Sequence, residues 1–293
     1  MTRNGRKILL FFLITVVLSA VVNLLIVSSG ERAALVFLVM WVPGVAALTS
    51  KLVFDKSLRN MGWGWRSTSS HLLAYAIPAL LCCVAYGAVW AMGVGGVSVE
   101  KFSTAVSREF SLDAQTHPAV LFLLVATLGF AANTLAALGE EIGWTGFLTP
   151  ELARRYGPAT TSIAVGLVWA VWHYPGILLG GYNAATSPLV AIPMFTIMLI
   201  GFSFIRTWLR HRSKSLWCGV FLHASHNLFV QAVFDQLTVD TGSTKYFTTE
   251  FGVALAVVYA LGGLAALRRM RRDGVTATGF HEMPNSHEAS PHQ

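Results

Sequence analysis

Eight stretches of about twenty mostly apolar residues recur along this chain, at about 8–28, 33–53, 71–92, 118–140, 160–180, 187–207, 216–235 and 251–268. Nothing else in the sequence limits the fold as strongly. A helix rises about 1.5 Å per residue, so some twenty apolar residues cross the roughly 30 Å hydrocarbon layer of a bilayer. Each run therefore predicts a spanning helix, and the fourth is expected to continue as helix through Glu140 and Glu141 toward Thr149 and Pro150. With 54% hydrophobic and 12% charged residues, the chain has too little polar surface for a soluble globule. The expected fold is an all-α integral membrane protein, a bundle of about eight transmembrane helices with both termini cytoplasmic, in a multi-pass cell-membrane setting.

Charge placement tests the count independently, because cytoplasmic connections carry an excess of Lys and Arg. With eight spans, the inside segments hold 17 of the 21 Lys and Arg residues, from Arg3, Arg6 and Lys7 through Lys51 to Arg66, Arg154 and Arg155, Arg206 to Lys214, and Arg268 to Arg272. The outside connections hold Arg32, Lys101, Arg108 and Lys245. The net charge of +7 is thus a topology signal, and with no aromatic-interleaved basic patch it implies no nucleic-acid partner. Arg3, Arg6 and Lys7 precede the first run as they would in a signal peptide, but an apolar part of about twenty residues exceeds the usual ~7 to 15 and predicts a retained helix. Cys82, Cys83 and Cys218 have neither disulfide-framework nor metal spacing and are expected to be ordinary buried residues.

The chain divides into 1–117, three spans and an outside loop at about 93–117 with room for a short surface helix; 118–235, a core that carries the intramembrane polar residues; 236–272, the last span; and 273–293, a polar disordered tail. His281, His287 and His292 in that tail are expected to be solvated, and Trp63 and Trp65 to anchor at the membrane interface.

Ionisable side chains inside a bilayer are costly and usually mark a site. Glu140 and Glu141 close the fourth run, His173 lies in the fifth, and His223 in the seventh. Residues four apart share a helix face, so Trp169 lies beside His173 and His223 beside Asn227. Glu140 and Glu141 point about 100° apart, so one faces the site while the other supports it; His226 is likewise turned away from the His223 face. The depths of these residues along their helices fit one cavity in the inner half of the membrane, opening toward the cytoplasm. A carboxylate, two imidazoles and an amide in a partly dry pocket suit hydrolysis: glutamate takes a proton from water, histidine orients it, and His with Asn stabilises an oxyanion. The same groups, His173, His223 and Glu140, could instead hold zinc with water in the open position. Taken singly, each polar group has a plainer reading as a hydrogen bond tying helices together.

These blocks together resemble the CPBP family of intramembrane proteases, which includes CAAX prenyl endopeptidases and bacterial Abi proteins. That family carries Glu-Glu-x-x-x-Arg, Phe-x-x-x-His and His-x-x-x-Asn/Asp on separate membrane helices, matched here by Glu140 and Glu141, by His173, and by His223 with Asn227. The resemblance spans about 118–235. It implies an endopeptidase in which Glu140 and His173 activate water, His223 and Asn227 stabilise the oxyanion or bind a metal, and Glu141 supports, with a membrane-associated protein or peptide as substrate. Two positions depart from the pattern. Trp169 stands where the family has Phe, keeping a bulky aromatic one turn before His173, with little effect expected. Thr145 stands where the family has Arg, a residue that would hold a carboxylate ionised and fix its rotamer. The Thr leaves open altered activity, a substitute cation, or a degenerate enzyme. The alternatives are accordingly an inactive membrane scaffold or immunity protein, and a proton-coupled transporter, for which the chain has neither repeated halves nor paired broken helices.

Overall fold

Every apolar run is helical in the computed structural model, which describes residues 1–30, 32–113 and 115–275. In chain order the helices are α1 (Arg3–Ser29), α2 (Ala33–Asp55), α3 (Thr68–Ala91), α4 (Val99–Glu109), α5 (Pro118–Ala153), α6 (Pro158–Leu179), α7 (Pro188–Ser213), α8 (217–237) and α9 (Val253–Arg272). Two short strands, β1 (Gly95–Val97) and β2 (Thr238–Asp240), pair antiparallel with Gly96 opposite Val239. The tail expected to be disordered, with its three histidines, lies outside the described residues from 276 onward.

Local chemistry sets the helix starts. The Thr2, Ser67 and Ser98 hydroxyls accept from the first-turn amides of α1, α3 and α4. Pro118, Pro158 and Pro188 open α5, α6 and α7, where a missing N–H costs nothing and the fixed φ suits the helix. α4 is the surface helix for which the 93–117 loop had room.

Seven helices are long and apolar enough to cross a membrane, which makes the chain a multi-pass membrane protein; the seventh expected span, at 216–235, is helical as α8 but not apolar enough to count with them. The reason is its content: His223, His226, Asn227 and Gln231 all lie on it. α8 is enclosed by its neighbours, and most of the side chains from Cys218 to Val230 are buried. A second revision concerns Arg206, expected in a cytoplasmic connection. α7 runs to Ser213, so Arg206 lies within the helix and is 0% exposed.

α5 and α8 are not uniform. Wider π-type turns occur at Val125–Gly129 and at Ile142–Leu148, directly after the Glu pair, and again at Leu228–Phe234, directly after Asn227. Such turns rotate everything beyond them and recur at functional sites.

The bundle has two chemically different ends. At the basic end, Lys7 Nζ bonds Asp55 at 2.9 Å and Glu151 at 2.6 Å, joining α1, α2 and α5. There too the Leu216 amide donates to Gly62 O at 2.7 Å, bringing the α2–α3 and α7–α8 connections together. At the opposite end, Thr241 Oγ1 donates to Val94 O at 2.7 Å and Thr186 Oγ1 to Lys245 O at 3.3 Å, joining the α3–α4, α6–α7 and α8–α9 connections.

Candidate active site

Close packing against α2 brings the Glu pair into the bundle. A Cβ on Gly139 would lie 2.6 Å from the Cα of Trp41, and one on Gly143 would lie 2.6 Å from the Cβ of Pro43. Two small residues four apart on α5 thus let the helix backbones approach, the usual device of membrane helices. Between them, Glu140 is 2% exposed and Glu141 0%, and they diverge as their 100° separation requires.

Glu140 faces a cavity. Its Oε2 accepts from Trp144 Nε1 at 3.1 Å and from Trp169 Nε1 at 2.7 Å. Two indole donors on one oxygen fix the carboxylate's rotamer and leave Oε1 as the atom for other partners. Trp169 therefore does more than keep an aromatic ring before His173, because a phenylalanine could not donate this bond. The indole was visible in the sequence, but its partner, 29 residues away, was not.

His173 bonds the Trp169 carbonyl through Nδ1 at 3.0 Å. A carbonyl only accepts, so Nδ1 carries the proton and Nε2 of the neutral ring is an acceptor. His223 Nδ1 lies 3.2 Å from Glu141 Oε1, again leaving Nε2 for another partner. Glu141 itself accepts from Thr145 Oγ1 at 2.5 Å and pairs with Arg206 Nη1 at 3.4 Å. The Arg206 guanidinium also lies over the Trp169 ring, 4.9 Å from its centroid, and donates to Ser203 Oγ at 3.2 Å. A cation thus does sit against the Glu pair, delivered by α7 and not by position 145. Thr145 suits this arrangement by being small: a Cβ on Gly219 of α8 would fall 2.4 Å from Thr145 Oγ1 and 2.9 Å from Glu141 Oε2, so α8 presses directly on this spot. Arg206 is the residue that sequence reasoning missed. Its one signal was a basic residue inside an apolar run, which the topology count absorbed.

Glu140, His173, His223 and Asn227 line one cavity of about 220 Å³, ample for a peptide carbonyl and a water that takes about 30 Å³ of liquid. Its remaining wall includes Asn23 and Ile26 near the end of α1, Val36 near the start of α2, and Gly180 and Tyr182 just past α6. All of these lie toward the end opposite the basic one. The expectation of an opening toward the end that holds the chain termini is therefore revised. Depth along each helix was a fair guide to convergence, but the mouth is decided by what packs around it. Toward the basic end, Trp144, Phe147, Thr145 and Arg206 are at most 1% exposed, and Phe11 closes on Phe147 at 4.9 Å and on Trp144 at 5.8 Å between ring centroids. A second, apolar groove of about 800 Å³ runs between α1 and α6 and shares Asn23 and Trp172 with the cavity.

Among the described residues no three His, Cys, Asp or Glu side chains are grouped to hold an ion. His223 Nδ1 and His173 Nδ1 bond Glu141 and the Trp169 carbonyl, which leaves Nε2 of each ring as the nitrogen open to another partner. The zinc set His173, His223 and Glu140 shares the cavity without forming a ligand cluster.

His226 points away from the cavity. It shares a hydrogen bond with Tyr259 at 2.7 Å and lies 3.3 Å from Glu250 Oε1. Glu250, in the α8–α9 connection, also accepts from Gln231 at 3.0 Å and from Tyr182. Burial alone would raise the Glu250 carboxyl, but His226, Tyr182 and Gln231 outweigh it and hold it down at about 2. Tyr182, the cavity-lining member of this cluster, lies alongside the His173 ring with 5.8 Å between centroids.

A family model for the type II CAAX prenyl endopeptidase Rce1-like proteins matches residues 117–229, the stretch that carries the Glu pair, His173, His223 and Asn227. Over that stretch the chain is similar to the CAAX-type proteases. It is also 30% identical over 170 residues to a CAAX prenyl protease 2 of Methanococcus maripaludis, an alignment covering 56% of this chain and 56% of that relative. The chain thus matches a little over half the length of that curated relative. Within the family match, Thr145 and Trp169 are the departures from the family pattern, and Arg206 and the Glu140–Trp169 bond are what accompany them.

Proposed function

We propose that this protein is an intramembrane endopeptidase that hydrolyses a peptide bond of a membrane-associated substrate with a water activated by Glu140 and His173. The observation that carries the reading is the single cavity onto which Glu140, His173, His223 and Asn227 converge. Glu140 Oε1, free of the two indoles, and His173 Nε2, unprotonated because Nδ1 donates to a carbonyl, are the two acceptors for the water's proton. The water attacks the peptide carbonyl carbon. As an imidazolium, with Nδ1–H donating to Glu141, His223 donates through Nε2–H, and Asn227 through its amide, to the oxygen on which charge develops. The proton then passes to the leaving amine as the C–N bond breaks. No step calls for a metal.

The test is cleavage, by detergent-solubilised protein, of an internally quenched peptide ending in a prenylated CAAX sequence. Glu140→Ala, His173→Ala and His223→Ala are each expected to abolish cleavage while eluting as folded protein. Cleavage retained by any one of them removes that residue from the mechanism. Full biological activity in Glu140→Ala would instead favour a scaffold.

A further inference from the structure

We infer that Glu250 and Tyr182 are positioning residues of the catalytic site: the Glu250 carboxylate anchors the Tyr182 ring against His173 and holds Gln231 in the cavity wall beside Asn227. This deepens the peptidase reading above and rests on it.

The 3.0 Å bond from His173 Nδ1 to the Trp169 carbonyl sets the tautomer of the imidazole. One bond at one nitrogen does not set the plane of the ring, and with it the aim of Nε2; the rings packed on it do. Trp172, on the same helix, and Phe195, on α7, meet His173 edge-on at 4.7 and 5.1 Å between centroids. Tyr182 is the near-parallel neighbour, at 5.8 Å and 29°. It belongs to the α6–α7 connection and follows Gly180 and Gly181, the second with a φ of +77°. Glycine gives the backbone wide conformational freedom, so a ring placed after two of them covers His173 only if something else anchors it.

The anchor comes from the α8–α9 connection. The Tyr182 hydroxyl donates to Glu250 Oε2. Phe251, the next residue, packs edge-on against Tyr182 at 5.1 Å and stacks on Phe195 at 5.4 Å. Two consecutive residues thus support both of the rings that reach His173 from outside its own helix. Through Oε1 the same carboxylate accepts from Gln231 Nε2 at 3.0 Å, and Gln231 lines the cavity together with Asn227. Glu250, 4% exposed, lies behind this wall and acts through Tyr182 and Gln231. The turn that carries it is itself fixed: the Thr249 amide donates to the Tyr86 hydroxyl at 3.1 Å, and that hydroxyl donates to Asp235 at 2.5 Å, tying the turn to α3 and α8. Burying a carboxylate is costly, and a neutral amide would tie the same segments together. A charged acceptor suits a link that must hold geometry tightly, because charge-assisted hydrogen bonds are shorter and about twice as strong.

The experiment is cleavage of the quenched prenylated peptide by detergent-solubilised protein, with kcat and KM determined separately. Tyr182→Phe keeps the ring and loses the hydroxyl; Glu250→Gln keeps the shape and loses the charge. Each is expected to lower kcat about tenfold, a fraction of the ~10² to 10⁴ that a positioned general base supplies, with KM little changed. The double variant is expected to fall no further than the weaker of the two, because both substitutions break one link. Thr186→Val is the control. Thr186 joins the same two connections, donating to Lys245 O at 3.3 Å, but is not part of the cavity lining, and its variant is expected to keep the wild-type kcat. Wild-type kcat in Tyr182→Phe, a rise in KM alone, or an equal loss in Thr186→Val overturns the proposal, and Tyr182→Phe decides it even if Glu250→Gln does not fold. If the wild-type protein cleaves nothing, the peptidase reading fails and the positioning role with it; cleavage by wild type that neither variant alters removes the positioning role alone.

Discussion

Replacing Arg206 with methionine removes a guanidinium that is 0% exposed and lies 3.4 Å from Glu141. At that distance and an effective dielectric of about 20, the attraction is about 5 kcal/mol. Measured losses on breaking buried pairs run about 3 to 5 kcal/mol, because the surviving charge is left without its partner. Thr145 and His223 still hold Glu141 in the variant, so the lower part of that range, about 3 kcal/mol, is expected. The assay is reversible unfolding in mixed detergent micelles, run as a cycle with Glu141→Gln and with the double variant. Removing both charges should cost clearly less than the two single losses added together, with a coupling of about 2 kcal/mol or more. Wild-type stability in Arg206→Met, or strict additivity in the cycle, would refute the claim that Arg206 is the working counter-charge of this site.

Trp169→Phe keeps the ring and loses one donor to Glu140. A hydrogen bond to a charged group contributes about 1.5 to 3 kcal/mol, so kcat/KM for peptide cleavage should fall roughly ten- to a hundredfold with the fold retained; an unchanged value would contradict the role given to this bond. Glu250 titrates at about 2 in the folded protein against an ordinary 4.5, a difference of about 3 kcal/mol. Because the folded value is the lower one, this contribution is complete above about pH 4.5 and fades as pH falls toward about 2. The unfolding midpoints of wild type and Glu250→Gln, measured against pH, should therefore converge through that window, and parallel curves would show that His226, Tyr182 and Gln231 do not hold the carboxylate down. Peptide cleavage should persist after exhaustive chelation, in protein that holds no stoichiometric zinc; activity lost on chelation and restored by zinc would bring back the metal reading.

The helices were legible because each is long, apolar and punctuated by connections rich in charge, proline or glycine. Convergence of Glu140, His173, His223 and Asn227 was legible for a different reason: charged and polar groups are too costly in lipid to be scattered without purpose. What the sequence did not disclose depends on contacts between distant segments. Arg206 lies 65 residues from Glu141, and a basic residue near a helix end looks the same whether it faces water or a buried carboxylate. The mouth of the cavity was equally hidden. It depends on Phe11 closing over Trp144 and Phe147, an aromatic contact between α1 and α5 that no local pattern announces. α8 was found as a helix from its length, while the polar residues that make it part of the site are the ones that lower its apolar character.

The pairing of Arg206 with Glu141 also constrains how this protein can be made. Glu141 is synthesised 65 residues before its counter-charge, so α5 leaves the ribosome with the Glu140 and Glu141 pair and no Arg206 to meet it. At a cost near 3 kcal/mol for a charge at the centre of an isolated helix, α5 has reason to stay beside the insertion machinery until α7 arrives. Biogenesis of this bundle then becomes a cooperative event, in which two helices separated by α6 enter the lipid as a paired unit.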